Sequence, residues 1–481
     1  MNKLFKSPIL NTDSYKVSMW KQMPTGTTGV YSYIESRGGR YDRTVFFGLQ
    51  AFIKEYLLEP ITQADIDIAE TILSQHGEPF NRAGWQYILD KHRGYLPVVI
   101  RAVPEGTVVP TKNVLATIEN TDPECFWLTT WLETALLRAI WYPTTVATQS
   151  WKIKQVILDY LEKTGDPTTI DFKLHDFGAR GVSSMESGGL GGAAHLVNFM
   201  GTDTITGLLF AREFYNAGIA GFSIPAAEHS TITSWGRENE VKAYENMLKQ
   251  FATPGSIVAV VSDSYDIFNA AGKLWGEELR QQVIDSGATI VIRPDSGDPE
   301  IICGKLVELL GQKFGYTTNA KGFKVLNNVR LIQGDGVNEH TIRCILGHFM
   351  AYGWSADNIA FGMGGALLQQ LDRDTQKFAM KCSAISVRVE DRKMTSAGVV
   401  VVDEIQWRDV QKDPITDSGK KSKAGRVTLW KSGGEFQSAV ETPRCWTDKG
   451  TSWSEALEEV YRDGKLVKEI NFAEVRSNSR K

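Results

Sequence analysis

Residues with acid–base, cationic and phosphate-binding potential recur in this sequence at one kind of position, directly after short apolar runs. The apolar runs cover residues 170–174, 221–224, 257–261, 289–292, 329–332 and 358–361. The polar segments that follow them cover residues 175–181, 226–230, 262–266, 293–298, 334–336 and 362–365. One such segment alone is typical of a helix cap. Together they predict a common site, because the carboxyl ends of parallel strands meet at one edge of a sheet.

Two of these segments are rich in glycine. One contains Gly334, Asp335 and Gly336, and the other contains Gly364 and Gly365. Backbone N–H groups reach a phosphate where no side chain intervenes, and a following helix adds its positive N-terminal end. Each loop could instead be a tight turn between a strand and a helix. Their place after the last two strands favours a phosphorylated substrate.

Cations and carboxylates accompany the glycine loops. Arg180 and Arg293 are suited to bidentate contacts with the oxygens of a diphosphate. Carboxylates at the same edge could hold Mg²⁺ through water while the substrate phosphates complete its coordination shell. The alternative is that these carboxylates pair with the arginines. The carboxylates in question belong to Asp263, Asp295, Asp298 and Asp335.

His229 is the histidine whose surroundings suggest catalysis. Glu228 precedes it, and the Ser-Thr-Ile-Thr segment after it is typical of the start of a helix. An imidazole at a helix N-terminus is disfavoured as a cation, so a neutral, nucleophilic ring is expected if a carboxylate orients its other nitrogen. A structural hydrogen bond is the alternative role, and it is the role we expect for His175 and His195.

The elements that must position these residues divide the chain into three regions. Residues 1–165 mix strand-like runs with helical patterns, which predicts an α+β region. In residues 166–377 continuous apolar strands alternate with helices, which predicts a parallel sheet buried on both faces. The number of repeats favours a closed or nearly closed α/β barrel, with a doubly wound sheet as the alternative. Residues 378–481 return to a strand-rich, polar pattern.

Composition excludes several classes of protein. The 481 residues carry 53 basic and 57 acidic side chains, interspersed to a net charge of -4, so we expect no binding to nucleic acid. We also expect no membrane span and no secretory leader, and hence a cytoplasmic protein. The cysteines lack the spacing of a zinc motif, so buried, reduced thiols are expected. They are Cys125, Cys303, Cys344, Cys382 and Cys445.

Several of these segments resemble motifs of the nicotinamide phosphoribosyltransferases, in the family's order. The longest are KLHDFG at 173–178, PAAEHST at 225–231 and IRPDSG at 292–297. Shorter ones are TDSYK at 12–16, GTD at 201–203, VSDSYD at 261–266, IQGDG at 332–336 and KDP at 412–414. The resemblance covers nearly the whole chain. It implies the type II phosphoribosyltransferase fold, an irregular α/β barrel packed against an α+β domain made from both chain ends.

The resemblance also implies the site. Phe177 of one subunit and Tyr15 of the other would sandwich nicotinamide in a head-to-tail homodimer. Asp203 would accept a hydrogen bond from the carboxamide and repel the carboxylate of nicotinic acid. His229 would be phosphorylated by ATP as a co-substrate, with Glu228 and Asp263 orienting it and Mg²⁺ bridging the phosphates. The remaining implied substrate contacts are Asp13, Arg180, Arg293, Asp295, Gly334, Asp335, Gly364, Gly365, Arg373, Lys381, Lys412 and Lys420.

Two other functions compete with this interpretation. A nicotinate phosphoribosyltransferase performs the same chemistry on the acid, and Asp203 is the residue that discriminates between the two. A non-catalytic nucleotide-binding or signalling protein could share the scaffold. The presence of His229, Arg293, Asp295 and both glycine loops argues against it. The segment 388–408 is longer than the resemblance leads us to expect, and no role is assigned to it.

Overall fold

The computed structural model describes residues 6–395, 398–442 and 452–481. The chain forms two compact units. Unit 1 contains residues Met1–Thr148, Phe214–Asn216 and Asp372–Lys481. Unit 2 contains Gln149–Glu213 and Ala217–Leu371. The first unit is therefore assembled from both ends of the chain, and the second from its middle.

The strands are numbered in chain order. They are β1 (Thr27–Ser36), β2 (Arg43–Val45), β3 (Val98–Ala102), β4 (Val108–Pro110), β5 (Val114–Asn120), β6 (Leu174–Asp176), β7 (Gly201–Thr202), β8 (Ile257–Val261), β9 (Thr289–Arg293), β10 (Tyr316–Thr318), β11 (Lys324–Leu326), β12 (Val329–Gln333), β13 (Ile359–Met363), β14 (Phe378–Thr395), β15 (Gly398–Asp409), β16 (Thr428–Ser432), β17 (Glu435–Ala439), β18 (Ser454–Glu455), β19 (Glu458–Arg462) and β20 (Lys465–Leu466).

The α-helices are numbered in the same way. They are α1 (Leu49–Phe52), α2 (Gln63–Gln75), α3 (Arg82–His92), α4 (Leu128–Trp131), α5 (Glu133–Thr164), α6 (Met185–Leu196), α7 (Ile205–Tyr215), α8 (His229–Thr233), α9 (Glu240–Phe251), α10 (Ile267–Asn269), α11 (Arg280–Ser286), α12 (Pro299–Phe314), α13 (Glu339–Ala351), α14 (Gly365–Leu368) and α15 (Phe472–Ser479).

Unit 1 is built on a seven-stranded sheet in the order β15-β14-β1-β5-β3-β19-β20. Its described pairings are antiparallel, and β1 lies between β14 from the C-terminal region and β5 from the N-terminal region. The core of the unit includes Trp85, Trp127 and Trp131, whose rings contact one another edge to face. Interleaving of the two chain ends confirms the predicted α+β domain.

Unit 2 is built on a six-stranded parallel sheet in the order β7-β6-β13-β12-β9-β8. The strands are mostly apolar because helices cover the sheet and its faces are buried. Ala259, Val291 and Ile332 form a small buried cluster, against which Phe177 and Ile224 pack. Residues from neighbouring strands thus meet on one face, as in the interior of a barrel.

The segment 222–226 connects the two edge strands of this sheet. Phe222 forms a parallel bridge with Gly201 of β7, and Ala226 forms one with Ala259 of β8. The Thr202 N–H donates to the Phe222 carbonyl at 3.0 Å. At the other end the Ala259 N–H donates to the Pro225 carbonyl, also at 3.0 Å. These bridges close the ring of strands. The structure is therefore the predicted irregular barrel and not the doubly wound sheet.

The strand predictions at 257–261, 289–292, 329–332 and 358–361 agree with β8, β9, β12 and β13. The prediction at 170–174 is wrong, since Pro167–Phe172 forms a 3₁₀ helix and β6 begins only at Leu174. Asp166 caps that helix by accepting the Thr168 N–H at 2.9 Å. The prediction at 221–224 is only partly right, because the backbone there makes isolated bridges.

The described cysteines form no disulfide. Cys125 and Cys303 are buried, Cys344 and Cys382 are partly exposed, and Cys445 lies outside the described residues. In the described parts of the chain, every helix is too short or too polar to cross a bilayer. Of the segment 388–408, residues 388–395 belong to β14 and residues 398–408 to β15, and these two strands pair antiparallel.

Candidate active site

The predicted site residues of unit 2 follow its strands at one edge of the barrel. Phe177 follows β6, Asp203 follows β7, Asp263 follows β8, Asp295 lies just beyond β9, and Gly334 follows β12. Register brings two of them together, because Asp176 of β6 pairs with Thr202 of β7. The edge therefore gathers side chains that are far apart in the sequence.

His229 opens the short helix α8 and contacts the loops after β8 and β9. Its Nδ1 lies 3.1 Å from the Ser264 Oγ. Its Nε2 lies 3.6 Å from the Asp263 Oδ1 and 3.6 Å from the Asp295 Oδ2. The side chain of His229 is 42% exposed, so a substrate can reach the ring. Two carboxylates facing Nε2 favour the proton on that nitrogen, so Nδ1 accepts the Ser264 hydroxyl. The hydroxyl must turn away before the Nδ1 lone pair can react.

Asp263 holds this arrangement together. Its Oδ2 accepts the backbone N–H of Asp295 at 3.0 Å and the hydroxyl of Ser296 at 2.5 Å. Its Oδ1 is buried and has no hydrogen-bond partner within the described residues. A buried carboxylate oxygen without a partner is costly unless a cation or a donor completes it. The His229 Nε2, 3.6 Å from this oxygen, can be such a donor.

Arg293 is held by Asp295 beside the first glycine loop. Its Nε and one terminal nitrogen both contact the Asp295 Oδ1, at 3.2 and 2.8 Å. A Cβ on Gly334 would lie 3.1 Å from the Arg293 Nε, so the glycine admits the guanidinium. The guanidinium carbon lies 5.7 Å from the centre of the Phe177 ring. The pairing of arginine with carboxylate occurs here, and it orients the cation.

Phe177 lies flat against β13 because position 362 has no side chain. Its N–H donates to the Met363 carbonyl at 3.0 Å, which fixes the backbone. A Cβ on Gly362 would lie 1.9 Å from a carbon of the Phe177 ring. Glycine is therefore required there for the ring to lie in this position.

Gly362→Ala should displace the Phe177 ring. Overpacking of this kind costs about 1–3 kcal/mol of stability, and a misplaced contact residue can raise KM by roughly 10- to 100-fold. The measurement is steady-state kinetics with nicotinamide, the substrate that the resemblance implies, as the varied substrate. The control is Gly347→Ala in α13, where the new Cβ would meet its nearest atom at an ordinary 3.5 Å. Unchanged KM in Gly362→Ala would contradict the assigned role of the ring.

Asp203 is exposed at the end of β7 and is positioned by two contacts. Its Oδ1 accepts the Ser223 hydroxyl at 2.6 Å. Its backbone N–H donates to the Asp176 carbonyl at 2.9 Å. Because Asp176 pairs with Thr202, Asp203 and Phe177 begin adjacent loops. An aromatic face and a hydrogen-bond acceptor thus lie at neighbouring strand ends.

Asp176 is a buried carboxylate in the same corner. Its Oδ1 accepts the Gly178 N–H at 2.7 Å, whereas its Oδ2 is buried without a hydrogen bond in the described residues. Burial raises the pKa of Asp176 to about 6; the Gly178 N–H and the nearby Thr204 hydroxyl oppose the rise, and the charge of Asp203 adds to it. The side chain fixes the turn that carries Phe177.

Asp176→Asn should stabilise the protein near neutral pH. A raised native pKa means that the native state binds the proton more tightly, so this group lowers stability as pH rises from about 4 to about 6. Above about pH 6 the ionised Asp176 lowers the free energy of unfolding by about 3 kcal/mol in total. The thermal midpoint of Asp176→Asn should therefore exceed that of the wild type by an amount that grows as the pH rises from about 4 to about 7.

The control for that experiment is Asp285→Asn, at an exposed position on α11. Its midpoint should differ from that of the wild type by the same small amount at every pH. A pH-independent difference for Asp176→Asn would contradict the raised pKa.

The remaining loop residues divide into exposed and structural groups. Arg180 and Asp335 are exposed, and a Cβ on Gly365 would meet no atom within 4 Å, which leaves space for a ligand. Asp298 instead caps α12, where its Oδ1 accepts the Glu300 and Ile301 N–H groups. The helix-cap interpretation is thus right for Asp298, which we remove from the candidate magnesium site.

Glu228 and the two other histidines have local contacts. The Glu228 N–H donates to the Thr231 hydroxyl at 3.2 Å in the first turn of α8. Among the described contacts of His229, none is to the Glu228 side chain; Asp263 and Asp295 face the ring instead. His195 is buried and bonds to Ser150, in keeping with a structural role. Burial lowers the pKa of His175.

The other predicted contact residues lie in unit 1. Tyr15 is 56% exposed, and Asp13 accepts the Thr134 hydroxyl at 2.6 Å. Burial lowers the pKa of Lys381, and the positive charges of Arg37, Lys16 and Lys412 lower it further, while Glu133 opposes them. Arg373 contacts Asp374 at 3.5 Å and Lys420 contacts Asp417 at 3.4 Å. Unit 1 therefore carries a cluster of cations around Lys381.

Sequence reasoning missed several positioning residues. Hydroxyls contact the carboxylates and the histidine of the site, and none of them belonged to the predicted set. These residues are Ser223, Ser264 and Ser296. Ser264 and Ser296 could have been found from the sequence, since they lie within the polar segments after β8 and β9.

Comparison with protein families matches residues 172–465 to the nicotinate phosphoribosyltransferase (NAPRTase) family. The chain belongs to this family. Residues 7–100 also match the N-terminal domain of nicotinamide phosphoribosyltransferase. The family predicted from the motifs is confirmed, and with it the enzyme class, a pentosyltransferase.

Curated relatives of this NAPRTase-family chain bear a more specific name. Nicotinamide phosphoribosyltransferase of Xanthomonas campestris pv. campestris (strain 8004) is 56% identical over 475 residues, covering 98% of this chain and 97% of that protein. Nicotinamide phosphoribosyltransferase of Acinetobacter baylyi (strain ATCC 33305 / BD413 / ADP1) is 32% identical and covers 98% of this chain and 96% of that protein.

Two solved structures share the NAPRTase-family fold. Nicotinate-nucleotide pyrophosphorylase from Pyrococcus furiosus superposes with a TM-score of 0.62 at 16% identity, covering 100% of this chain and 96% of that one. Human nicotinic acid phosphoribosyltransferase superposes with a TM-score of 0.52 at 15% identity, covering 98% and 92%. These likenesses concern the fold alone and confirm the predicted type II phosphoribosyltransferase architecture.

Proposed function

We propose that this enzyme transfers the phosphoribosyl group of 5-phosphoribosyl 1-diphosphate to nicotinamide, which forms nicotinamide mononucleotide and releases diphosphate. The choice of the amide is supported by the relative at 56% identity that bears this name. The reaction belongs to NAD salvage. The observation that carries the chemistry is the convergence of His229, Asp263, Arg293 and Asp295 at one edge of the barrel.

Nicotinamide would lie on the face of Phe177. The ring is fixed against Gly362, and offset stacking of aromatic rings adds about 0.5–1.5 kcal/mol to the burial of their surface. Asp203, at the neighbouring strand end, would accept a hydrogen bond from the carboxamide. Its negative charge would repel the carboxylate of nicotinic acid, so selectivity rests on an unfavourable contact with the wrong substrate.

The phosphoribosyl diphosphate would lie between Arg293 and the two glycine loops. Arg293 is pre-oriented by Asp295, which lowers the entropy lost when it contacts an anion. Open space at Gly365 and the exposed Asp335 suit the ribose phosphate end. Arg180 is the second cation suited to the diphosphate.

Mg²⁺ fits this site as a partner of the substrate phosphates. When bound, it would neutralise charge on the departing diphosphate. Within the described ranges, the barrel edge holds no group of three acidic, histidine or cysteine side chains close enough to share an ion. The chain's part is the carboxylates of Asp263 and Asp295, which would contact the ion through water.

The reaction would be a displacement at the anomeric carbon of the ribose. The pyridine nitrogen forms the new bond to carbon while the bond to the diphosphate oxygen breaks, and the electron pair leaves with diphosphate. Positive charge builds on the sugar ring and negative charge on the leaving group. The protein's contribution is therefore positioning and electrostatic stabilisation, from Phe177, Arg180 and Arg293.

ATP would act through His229. The Nδ1 lone pair attacks the γ-phosphorus, the bond to the bridging oxygen breaks, and ADP leaves; water later removes the phosphate from the ring. Asp263 and Asp295 face Nε2 at 3.6 Å and would hold its proton during the transfer. Hydrolysis of the phosphohistidine would couple ATP to an otherwise unfavourable synthesis.

The active unit would be a head-to-tail homodimer. Tyr15 is exposed and aromatic, as a residue that completes a nicotinamide sandwich in another subunit should be. The cations near Lys381 suit phosphates, and Lys412 belongs to the same group. Asp13, Arg373 and Lys420 would complete this contribution from the partner subunit. A cytoplasmic location stays a prediction.

The test is an assay of the purified protein with phosphoribosyl diphosphate, Mg²⁺ and either nicotinamide or nicotinic acid, with and without ATP. Mononucleotide is measured by mass spectrometry. We expect product from nicotinamide and a faster rate with ATP. Product from the acid alone would assign the activity to nicotinate, and no product from either substrate would favour the non-catalytic alternative.

A further inference from the structure

A second group of potential ligands lies in unit 1, apart from any residue assigned above. His92 is the last residue of α3, Asp122 follows β5, and Cys125 ends the short 3₁₀ helix Pro123–Cys125. One ligand atom of each lies within 4.8 Å of the other two. The His92 Nε2 is 2.8 Å from the Asp122 Oδ2. The end of α3 and the capped 3₁₀ helix that follows β5 thus meet at one point.

The Cys125 thiol is the unusual member of this group. The residue is fully buried. The Asp122 carboxylate and the His92 ring each place a ligand atom within 4.8 Å of its sulfur. A cation beside the sulfur would therefore meet a carboxylate and an imidazole at the same point.

The carboxylate of Asp122 is already oriented. Its Oδ2 accepts the Tyr87 hydroxyl at 3.1 Å as well as contacting His92. Its Oδ1 accepts the Glu124 N–H at 2.8 Å. Ligating carboxylates in proteins are commonly held in this way by outer hydrogen bonds. The side chains of His92 and Asp122 remain 26% and 18% exposed, which leaves a path for an ion from solvent.

We propose that His92, Asp122 and Cys125 bind a divalent zinc-type cation. A thiolate and a carboxylate balance its two positive charges, and the neutral imidazole adds none, so the complex is neutral and suits a partly buried place. Thiolate with imidazole selects Zn²⁺ over Mg²⁺ or Ca²⁺. Water would occupy the fourth tetrahedral position.

Binding requires a small local rearrangement. Zinc–ligand distances of about 2.0–2.3 Å place tetrahedral ligand atoms roughly 3.3–3.8 Å apart. The 2.8 Å contact between His92 and Asp122 must therefore open as the ion enters. The Cys125 proton leaves to solvent on binding, so affinity rises with pH. The bound ion would link the end of α3 to the loop that follows β5.

The test is a cobalt titration of the chelator-treated, full-length protein. Co²⁺ bound to a thiolate absorbs strongly through sulfur-to-metal charge transfer, and Zn²⁺ displaces it. We expect one such site per chain. Cys125→Ser and His92→Ala should each weaken Co²⁺ binding by more than about 100-fold, beyond the loss typical for outer hydrogen-bond partners. Zn²⁺ should also raise the thermal midpoint of the wild type but of neither variant.

Cys344→Ser is the matched control. Cys344 lies 3.7 Å from the His340 Nε2 on α13 and is the other described cysteine with a histidine beside it. Its replacement should leave the cobalt band unchanged. Absence of the band in the wild type, or its loss in Cys344→Ser with retention in Cys125→Ser, would overturn the proposal. Phosphoribosyl transfer is not needed for either readout, so the test is independent of the proposed activity.

Discussion

Asp203→Asn should lower the preference of the enzyme for nicotinamide over nicotinic acid by about 100-fold, since a close like-charge contact costs several kcal/mol and 1.4 kcal/mol is a factor of ten. The asparagine keeps an oxygen for the carboxamide but loses the charge that repels the acid. The measurement is kcat/KM for both substrates, taken as a ratio. We expect kcat/KM for nicotinic acid to rise by a larger factor than kcat/KM for nicotinamide falls.

Ser223→Ala is the matched control for this experiment. It removes the hydroxyl that holds the Asp203 Oδ1 at 2.6 Å but keeps the carboxylate. Its preference for the amide should stay close to that of the wild type, because the carboxylate charge remains. An unchanged ratio in Asp203→Asn would show that selectivity arises elsewhere.

His229→Ala should abolish stimulation by ATP and leave slow basal synthesis of the mononucleotide. Alanine has no nitrogen to carry a phosphate, whereas Arg293 and the Phe177 ring remain to bind the substrates. Rates with and without ATP should become equal in this variant. Protein incubated with γ-labelled ATP should retain label only when His229 is present.

Two further variants sharpen that result. His340→Ala, which changes an exposed histidine on α13, should respond to ATP as the wild type does. Ser264→Ala removes the contact to the His229 Nδ1 and should reduce stimulation without abolishing it. A full response to ATP in His229→Ala would refute the phosphohistidine.

The barrel strands could be predicted because each is a continuous apolar run bounded by polar residues. β8, β9, β12 and β13 have this form and were found at nearly their observed limits. β7 has two residues, too few for any periodic pattern. Apolar residues alternate with charged ones at 170–174, a pattern that also predicts a strand. The Asp166-Pro167 pair instead starts a 3₁₀ helix that continues to Phe172. The helix cap therefore overrides the strand pattern.

The site was predictable in its residue types and less so in its contacts. The resemblance implied Glu228 and Asp263 as the residues that orient His229. Asp263 does lie beside the ring, whereas the N-terminal turn of α8 engages the Glu228 backbone with Thr231. Asp295 also reaches the ring, because β8 and β9 are neighbours in the sheet. Sheet order cannot be read from the sequence, so the contact with Asp295 had to come from the structure.

The closure of the barrel places Asp203 and His229 at the two ends of one short segment. Segment 222–226 is joined to each neighbour by a few backbone bonds, and Pro225 has no N–H to add another. Ser223 in this segment donates to Asp203, and the helix that begins at His229 follows shortly after Ala226. A shift of this segment along its neighbours would therefore displace the contact to Asp203 and the start of that helix together.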